Sequence, residues 1–409
     1  MSDLLQSFPV GFVAGPNAGP GTVDGQGQDT ILDASGLEAA RREIASWPGY
    51  APTPLVSLPG FAAAAGVEAL WYKDEGARFG LGSFKALGGA YAVCRLLRRQ
   101  AAARAGVDEV STADLTSGRY REIVSGITVC TATDGNHGRS VAWGAQTFGC
   151  RCVIYIHATV SEGRKQAMEH FGAEVRRIEG NYDDSVHQAA RDAAANGWFV
   201  VSDTSYPGYT EIPRDVMHGY MLMADETIEQ LSHGPGPTHV FVQGGVGGLA
   251  AAVCARFRLE HGETCPRFVV VEPTNAACLF ESAKAGRPVV VAGDLDTVMA
   301  GLAAGEVSLL AWSVLQGVVD GFMTVPDEAA EDLMRLLARG VGGDPPVVAG
   351  ESAVAGLAGA IGALRTPEVA EALQLDGQSR VLVFGTEGAT DTEVYRRIVG
   401  RSPEAVAAG

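Results

Sequence analysis

Ile127-Thr128-Val129-Cys130-Thr131-Ala132-Thr133-Asp134-Gly135-Asn136-His137-Gly138 decides the fold. Ile127–Thr131 is apolar and rich in β-branched residues and predicts a strand. Asp134, Gly135 and Asn136 break it, and a helix is predicted from Gly138 to Phe148. The unit recurs downstream. Cys152–His157 is a strand, and Ser161 caps a helix to Phe171. Glu174–Ile178 is a strand, Asp183 caps a helix to Ala195, and Trp198–Ser202 is a strand. Strands alternating with helices over short loops predict a doubly wound parallel sheet. Such sheets take ligands at the carboxyl ends of their strands. Thr133–His137, the loop after His157, and Asp203-Thr204-Ser205 fall at those ends.

On the amino-terminal side, Ser35–Ala45 predicts a short helix and Ala69–Lys73 a strand. Phe84, Leu87, Tyr91, Cys94 and Leu97 recur at helical spacing, so Lys85 stands in the first turn of a helix. On the other side, strand His239–Gln243 leads through Gly244–Gly248 into a helix over Leu249–Arg258. Arg267–Glu272 and Arg380–Phe384 are strands, the latter ending in Gly385-Thr386-Glu387-Gly388. Asp327–Leu337, Ser352–Leu364 and Glu368–Leu373 read as helices. The fold class is α/β, with two doubly wound domains on parallel sheets. Residues 90–217 form a small mobile domain inserted into a larger one built from 35–89 and 218–409. Residues 1–34, rich in Gly and Pro over 14–30, form a flexible arm.

The chain has 409 residues, 31 basic and 48 acidic, for a net charge of −17. That balance argues against nucleic acid or an anionic membrane as partner. No window has the apolar length of a membrane span, and the first residues lack the features of a secretory signal. Seven scattered cysteines make no disulfide framework, and neither they nor the eight histidines show metal-ligand spacing. A cytoplasmic, thiol-reduced protein without structural metal is expected.

Lys85 is one of four lysines, with Lys73, Lys165 and Lys284. A lysine among small apolar residues can lose its proton and attack a carbonyl carbon, which arginine cannot do. A lysine snorkelling from a helix start is the plainer alternative. Gly244, Gly245, Val246, Gly247 and Gly248 join a strand to a helix, where backbone N–H groups and the helix dipole favour an anion. Gly245-x-Gly247-x-x-Ala250, with Glu272 ending the next strand, fits a dinucleotide fingerprint. A single phosphate, as on pyridoxal phosphate, fits equally and gives Lys85 a task. A bare turn would be weakened by four glycines in five residues. Asp134 or Asn136 can cap a helix; alternatively Asn136 meets a cofactor hydroxyl and Asp134 acts as a base. Asp203 is a turn carboxylate or a second base. Thr386 is a turn residue or the partner of a pyridine nitrogen. Ser83, Asp134, Gly135, Asn136 and His137 are expected around substrate, His137 in a supporting rather than a catalytic role.

Ser83-Phe84-Lys85, Asp134–Gly138 and Gly244–Gly248, in that order, resemble the tryptophan-synthase-β-like (fold type II) pyridoxal-phosphate enzymes. More narrowly, the chain resembles the diaminopropionate ammonia-lyase family. The stretches are Arg78–Leu81 with Phe84–Tyr91, Thr133–Arg139, Gly180–Asp184, Met299–Ala303, Gly350-Glu351-Ser352 and Thr386-Glu387-Gly388. The resemblance runs from about residue 35 to the end. It implies a homodimeric lyase of amino acid catabolism, with pyridoxal 5'-phosphate on Lys85. It further implies Asp134 as base for D-2,3-diaminopropionate and Asp203 for the L form. Val307–Leu310 and Tyr206-Pro207 depart from the family pattern. Two alternatives stay open. One is a β-eliminating enzyme acting on serine, threonine, hydroxyaspartate or a similar amino acid; the other is a nucleotide-binding or non-catalytic cofactor-binding protein.

Overall fold

The computed structural model describes residues 8–15, 31–133, 135–180 and 182–409. Asp134, Asn181 and the Asp183 side chain, on which expectations fell, lie outside the described residues. Among the described residues there are eleven strands: β1 Gly11–Ala14, β2 Leu55–Ser57, β3 Ala69–Asp74, β4 Thr128–Ala132, β5 Arg151–Ile156 and β6 Glu174–Arg177, followed by β7 Phe199–Val200, β8 His239–Gln243, β9 Arg267–Pro273, β10 Gly321–Val325 and β11 Arg380–Gly385. They make two sheets, ordered β1-β10-β9-β8-β11-β3-β2 and β6-β5-β4-β7. The smaller sheet is wholly parallel. In the larger one five central strands are parallel, and short antiparallel strands close both edges. Strands covered on both faces read as unbroken apolar runs, as in β8 and β10, where every residue is buried.

The chain divides into two compact units. One comprises residues up to Ala34, Ala51–Phe84 and Met223–Gly409; the other comprises Ser35–Tyr50 and Lys85–Leu222. In the first, Phe241, Val271 and Val383 of the sheet and Leu333 and Leu357 of its covering helices belong to one apolar core. The carboxyl ends of β3, β8, β9 and β11 lie along one edge of that sheet, so Asp74, Gln243, Glu272 and Gly385 share it.

Four expectations need correction. Gly11–Ala14 is not a flexible arm: it pairs with Gly321–Val325, and Phe8, Val10 and Phe12 pack on the core. Ser35–Tyr50 belongs with the second unit, because Glu43 holds Arg98 (3.2 Å) and the Trp47 indole (2.9 Å). The Trp47 ring also meets Trp143 edge-on. The whole helix Lys85–Ala105 also belongs there. Its Ala90 N–H donates to Ser140 Oγ (3.0 Å), and a Cβ on Gly89 would stand 2.6 Å from that oxygen, so only glycine permits this approach. Asp183 lies inside the helix Tyr182–Asn196 rather than at its cap.

Candidate functional site

The candidate residues fall into two groups, one in each unit. In the second unit Lys85 opens the helix Lys85–Ala105, and Asp203 follows β7. Lys85 Nζ is 2.6 Å from Asp203 Oδ2, with side chains 19% and 14% exposed. The amine also lies 5.5 Å from the centre of the Tyr220 ring. Burial pulls the Lys85 pKa down, but the Asp203 carboxylate more than offsets it and the ammonium form is held. Burial pushes Asp203 up, yet Lys85 and then His137 hold its carboxyl well below the usual range. His137 is buried behind this pair. Its Nε2 faces Val201 O at 2.8 Å, and since a carbonyl only accepts, that nitrogen carries a hydrogen. Its Nδ1 is 3.9 Å from Asp203 Oδ2. Asn136 is the first residue of the helix Asn136–Phe148. The Thr133 hydroxyl accepts from the Gly135 and Gly138 N–H groups (3.1 and 3.2 Å) at the start of this helix. Tyr220 gave no sequence signal beyond Gly88, whose missing side chain leaves room for its ring.

The other lysines are spoken for. Lys73 Nζ spends its three donors on Thr53 O (2.9 Å), Glu226 (2.8 Å) and Gln230 (3.0 Å). Lys165 and Lys284 pair with Glu162 and Glu281 one helical turn away.

In the first unit, Gly244–Gly248 is folded back on itself. Gly247 N–H donates to Gly244 O (3.3 Å) and Ser308 N–H to Val246 O (2.9 Å). Gly245 and Gly247 have φ of +64° and +97°, which suit glycine. The helix Gly248–His261 follows, and its first N–H groups have no partner within the helix. A Cβ on Gly245 would meet Gly301 O at 3.6 Å and Leu302 at 3.7 Å, ordinary contact distances. A loop of glycine amides at a helix start fits a phosphate monoester. Glu272, the acid of the dinucleotide reading, is unavailable to a ribose. It is buried and accepts from Leu279 N–H (3.0 Å) and Phe280 N–H (2.7 Å), capping the helix Cys278–Ala285. Burial pushes its pKa up to about 8. Thr386 is buried after β11; its carbonyl accepts from Phe84 N–H (3.0 Å), and Gln243 Nε2 is 3.4 Å from its hydroxyl. Ser83, also buried, forms a β-bridge with Glu387. Stretches far apart in sequence are knitted together here: Gly301 N–H donates to Ser352 Oγ (3.0 Å) and Ser352 N–H to Glu387 Oε1 (3.0 Å).

Residues 46–387 match the family described as "Pyridoxal-phosphate dependent enzyme". The diaminopropionate ammonia-lyase of Escherichia coli K12 is 38% identical over 92% of this chain and 94% of its own length. That of Salmonella typhimurium LT2 is 39% identical over 87% and 90%. The holo crystal structure of the Escherichia coli lyase aligns with a TM-score of 0.87 at 36% identity, covering 97% of each chain. The chain belongs to the pyridoxal-phosphate-dependent enzymes of fold type II, and within them to the diaminopropionate ammonia-lyase family. Its cofactor is pyridoxal 5'-phosphate. Among the described residues no helix is long and apolar enough to cross a membrane.

Proposed function

We propose that this enzyme eliminates ammonia from D- and L-2,3-diaminopropionate, and that with one water it yields pyruvate and two ammonia. The observation that carries the reading is the Lys85–Asp203 pair, an amine and a carboxylate 2.6 Å apart at a helix head and a strand end. Lys85 binds the cofactor's aldehyde, Gly244–Gly248 its phosphate, Asn136 its ring hydroxyl and Thr386 its ring nitrogen. Bound pyridoxal phosphate supplies an electron sink for the pair of electrons left when the α-proton departs. The chain's residues supply the proton movements. Asp203 takes the α-proton of the L form, and Asp134 that of the D form, since one base cannot serve both faces of one plane. His137 orients Asp203 and keeps it ionised. Lys85, held as an ammonium by Asp203, carries a proton that an amine leaving group requires. Asn136 and the amides beside Gly135 bind the substrate carboxylate, with Ser83 beside them. We further place the enzyme in the cytoplasm as a homodimer; its seven unpaired thiols suit a reducing compartment.

The test is turnover on each enantiomer with pyruvate and ammonia both counted. The wild type should release about two ammonia per pyruvate. Asp203→Asn keeps shape and removes basicity, so it should lose about 10²–10⁴-fold on the L form and far less on the D form. Equal losses on both would make Asp203 a binding residue. Ammonia from serine or threonine but none from diaminopropionate would refute the substrate.

A further inference from the structure

A group of buried charges that no role above uses stands at the foot of the segment leading to Lys85. The side chains of Lys73, Glu75, Arg78 and Glu226 are at most 2% exposed. Arg78 donates twice to Glu75 (2.8 Å each) and twice to Glu226 (2.7 Å each). It also reaches Ala51 O and Thr53 Oγ1 (3.1 Å each), and Thr53 in turn donates to Glu75. Two cations and two anions cancel, and the hydrogen bonds are saturated, which a buried ion group requires. Only the planar guanidinium fork can serve so many acceptors at once.

The next residues take an unusual course. Phe79, Gly80 and Gly82 have φ of +51°, +69° and +80°. Phenylalanine resists the left-handed region and stays there only where its surroundings impose it. The far end of the segment is tied as well. Gly388 N–H donates to Gly82 O (2.9 Å), Ser83 bridges Glu387, and Phe84 N–H donates to Thr386 O. The residue after Phe84 is Lys85.

We propose that Arg78 is a positioning residue for Lys85. By clamping Glu75 and Glu226 it imposes the left-handed turn at Phe79, and that turn sets where the segment delivers the lysine amine. The inference rests on Lys85 being the lysine that binds the cofactor.

The readout is the ratio of affinities, on the full chain, for pyridoxal 5'-phosphate and 4'-deoxypyridoxine 5'-phosphate, which lacks the aldehyde. Capture joins Lys85 Nζ to the aldehyde carbon as a C=N bond and releases one water, so only the first ligand gains from it. Arg78→Lys keeps the charge and loses the fork; it should lower the ratio about tenfold, with the affinity for the deoxy ligand within about twofold of wild type. Adding Phe79→Gly should restore the ratio to within about threefold, because glycine takes the turn unforced. An unchanged ratio in Arg78→Lys overturns the proposal, and so does a loss that Phe79→Gly does not recover. Lys85→Ala sets the floor: if it leaves the ratio unchanged, the reading of Lys85 fails instead. Should Arg78→Lys not accumulate folded, Thr53→Val replaces it. That variant keeps all four charges, and its expected drop is about threefold; no drop counts against the proposal.

Discussion

Lys73 and Lys85 each hold a carboxylate oxygen within 2.8 Å, Glu226 in one case and Asp203 in the other, yet the two amines have opposite characters. Lys73 is sealed. Its three donors are spent, and burial pulls its pKa down in spite of Glu226 and Glu75. Lys85 stands at a helix head, partly open, with one carboxylate that outweighs burial and holds its proton on. Sealed from solvent, an ion pair is scaffold; partly open, it is equipped to exchange a proton. The signs for the Lys85 pair follow. The raised lysine stabilises the fold fully below its unfolded pKa of about 10.4, and loses this as pH rises through the folded value. The depressed aspartate stabilises above about 3.9 and loses this as pH falls through its folded value. The cofactor-free protein should therefore keep this contribution across the neutral range, and Asp203→Asn should remove it without shifting the neutral plateau to a new pH.

Mutations that exchange the fates of the two pairs test the contrast. Lys85→Ala should cost activity about 10⁴-fold or more while the protein stays folded, measured by turnover beside circular dichroism. Glu226→Gln should do the reverse. It leaves Arg78 and Lys73 facing Glu75 alone, and should cost about 3–5 kcal/mol in urea unfolding. Gly245→Asp should weaken pyridoxal phosphate binding by about 100-fold through charge repulsion; its Cβ would meet Gly301 O at an ordinary 3.6 Å, and aspartate is among the side chains that reach a left-handed φ at modest cost. Gly247 is a poorer probe, because a side chain there would crowd Ala311 and Leu279. The smallest effect concerns Glu272. A carboxyl pushed up to about 8 loses stability as pH rises from its unfolded value of about 4.3 through 8. Glu272→Gln should flatten the slope of Tm against pH over that range; an unchanged slope would mean Glu272 is ionised throughout.

The repeated strand–helix units were legible, down to the bounds of His239–Gln243, because buried parallel strands announce themselves as apolar runs between glycines and caps. Gly11–Ala14 was not, since a four-residue edge strand carries too little pattern. Gly321–Val325, although flanked by Asp320-Gly321 and Pro326-Asp327, is too short to show a period that tells strand from helix. Lys85, Asp203, the glycine loop and Thr386, to which we assign the proposed roles, stand out in the sequence because chemistry at strand ends calls for those residue types. The scaffold behind them does not: Arg78 meets Glu226 across 148 positions, and nothing in a helical pattern names that partner. Tyr220 was hidden in the same way, and Glu272 left two readings open because a ribose ligand and a helix cap call for the same residue at the end of a strand.

Reduction of the holoenzyme with borohydride fixes the bond between cofactor and lysine, and peptide mapping then reports which amine made it. The contrast between the two lysines predicts label on the peptide containing Lys85 and none on that containing Lys73. Label on Lys73, Lys165 or Lys284 with Lys85 unmodified would contradict it.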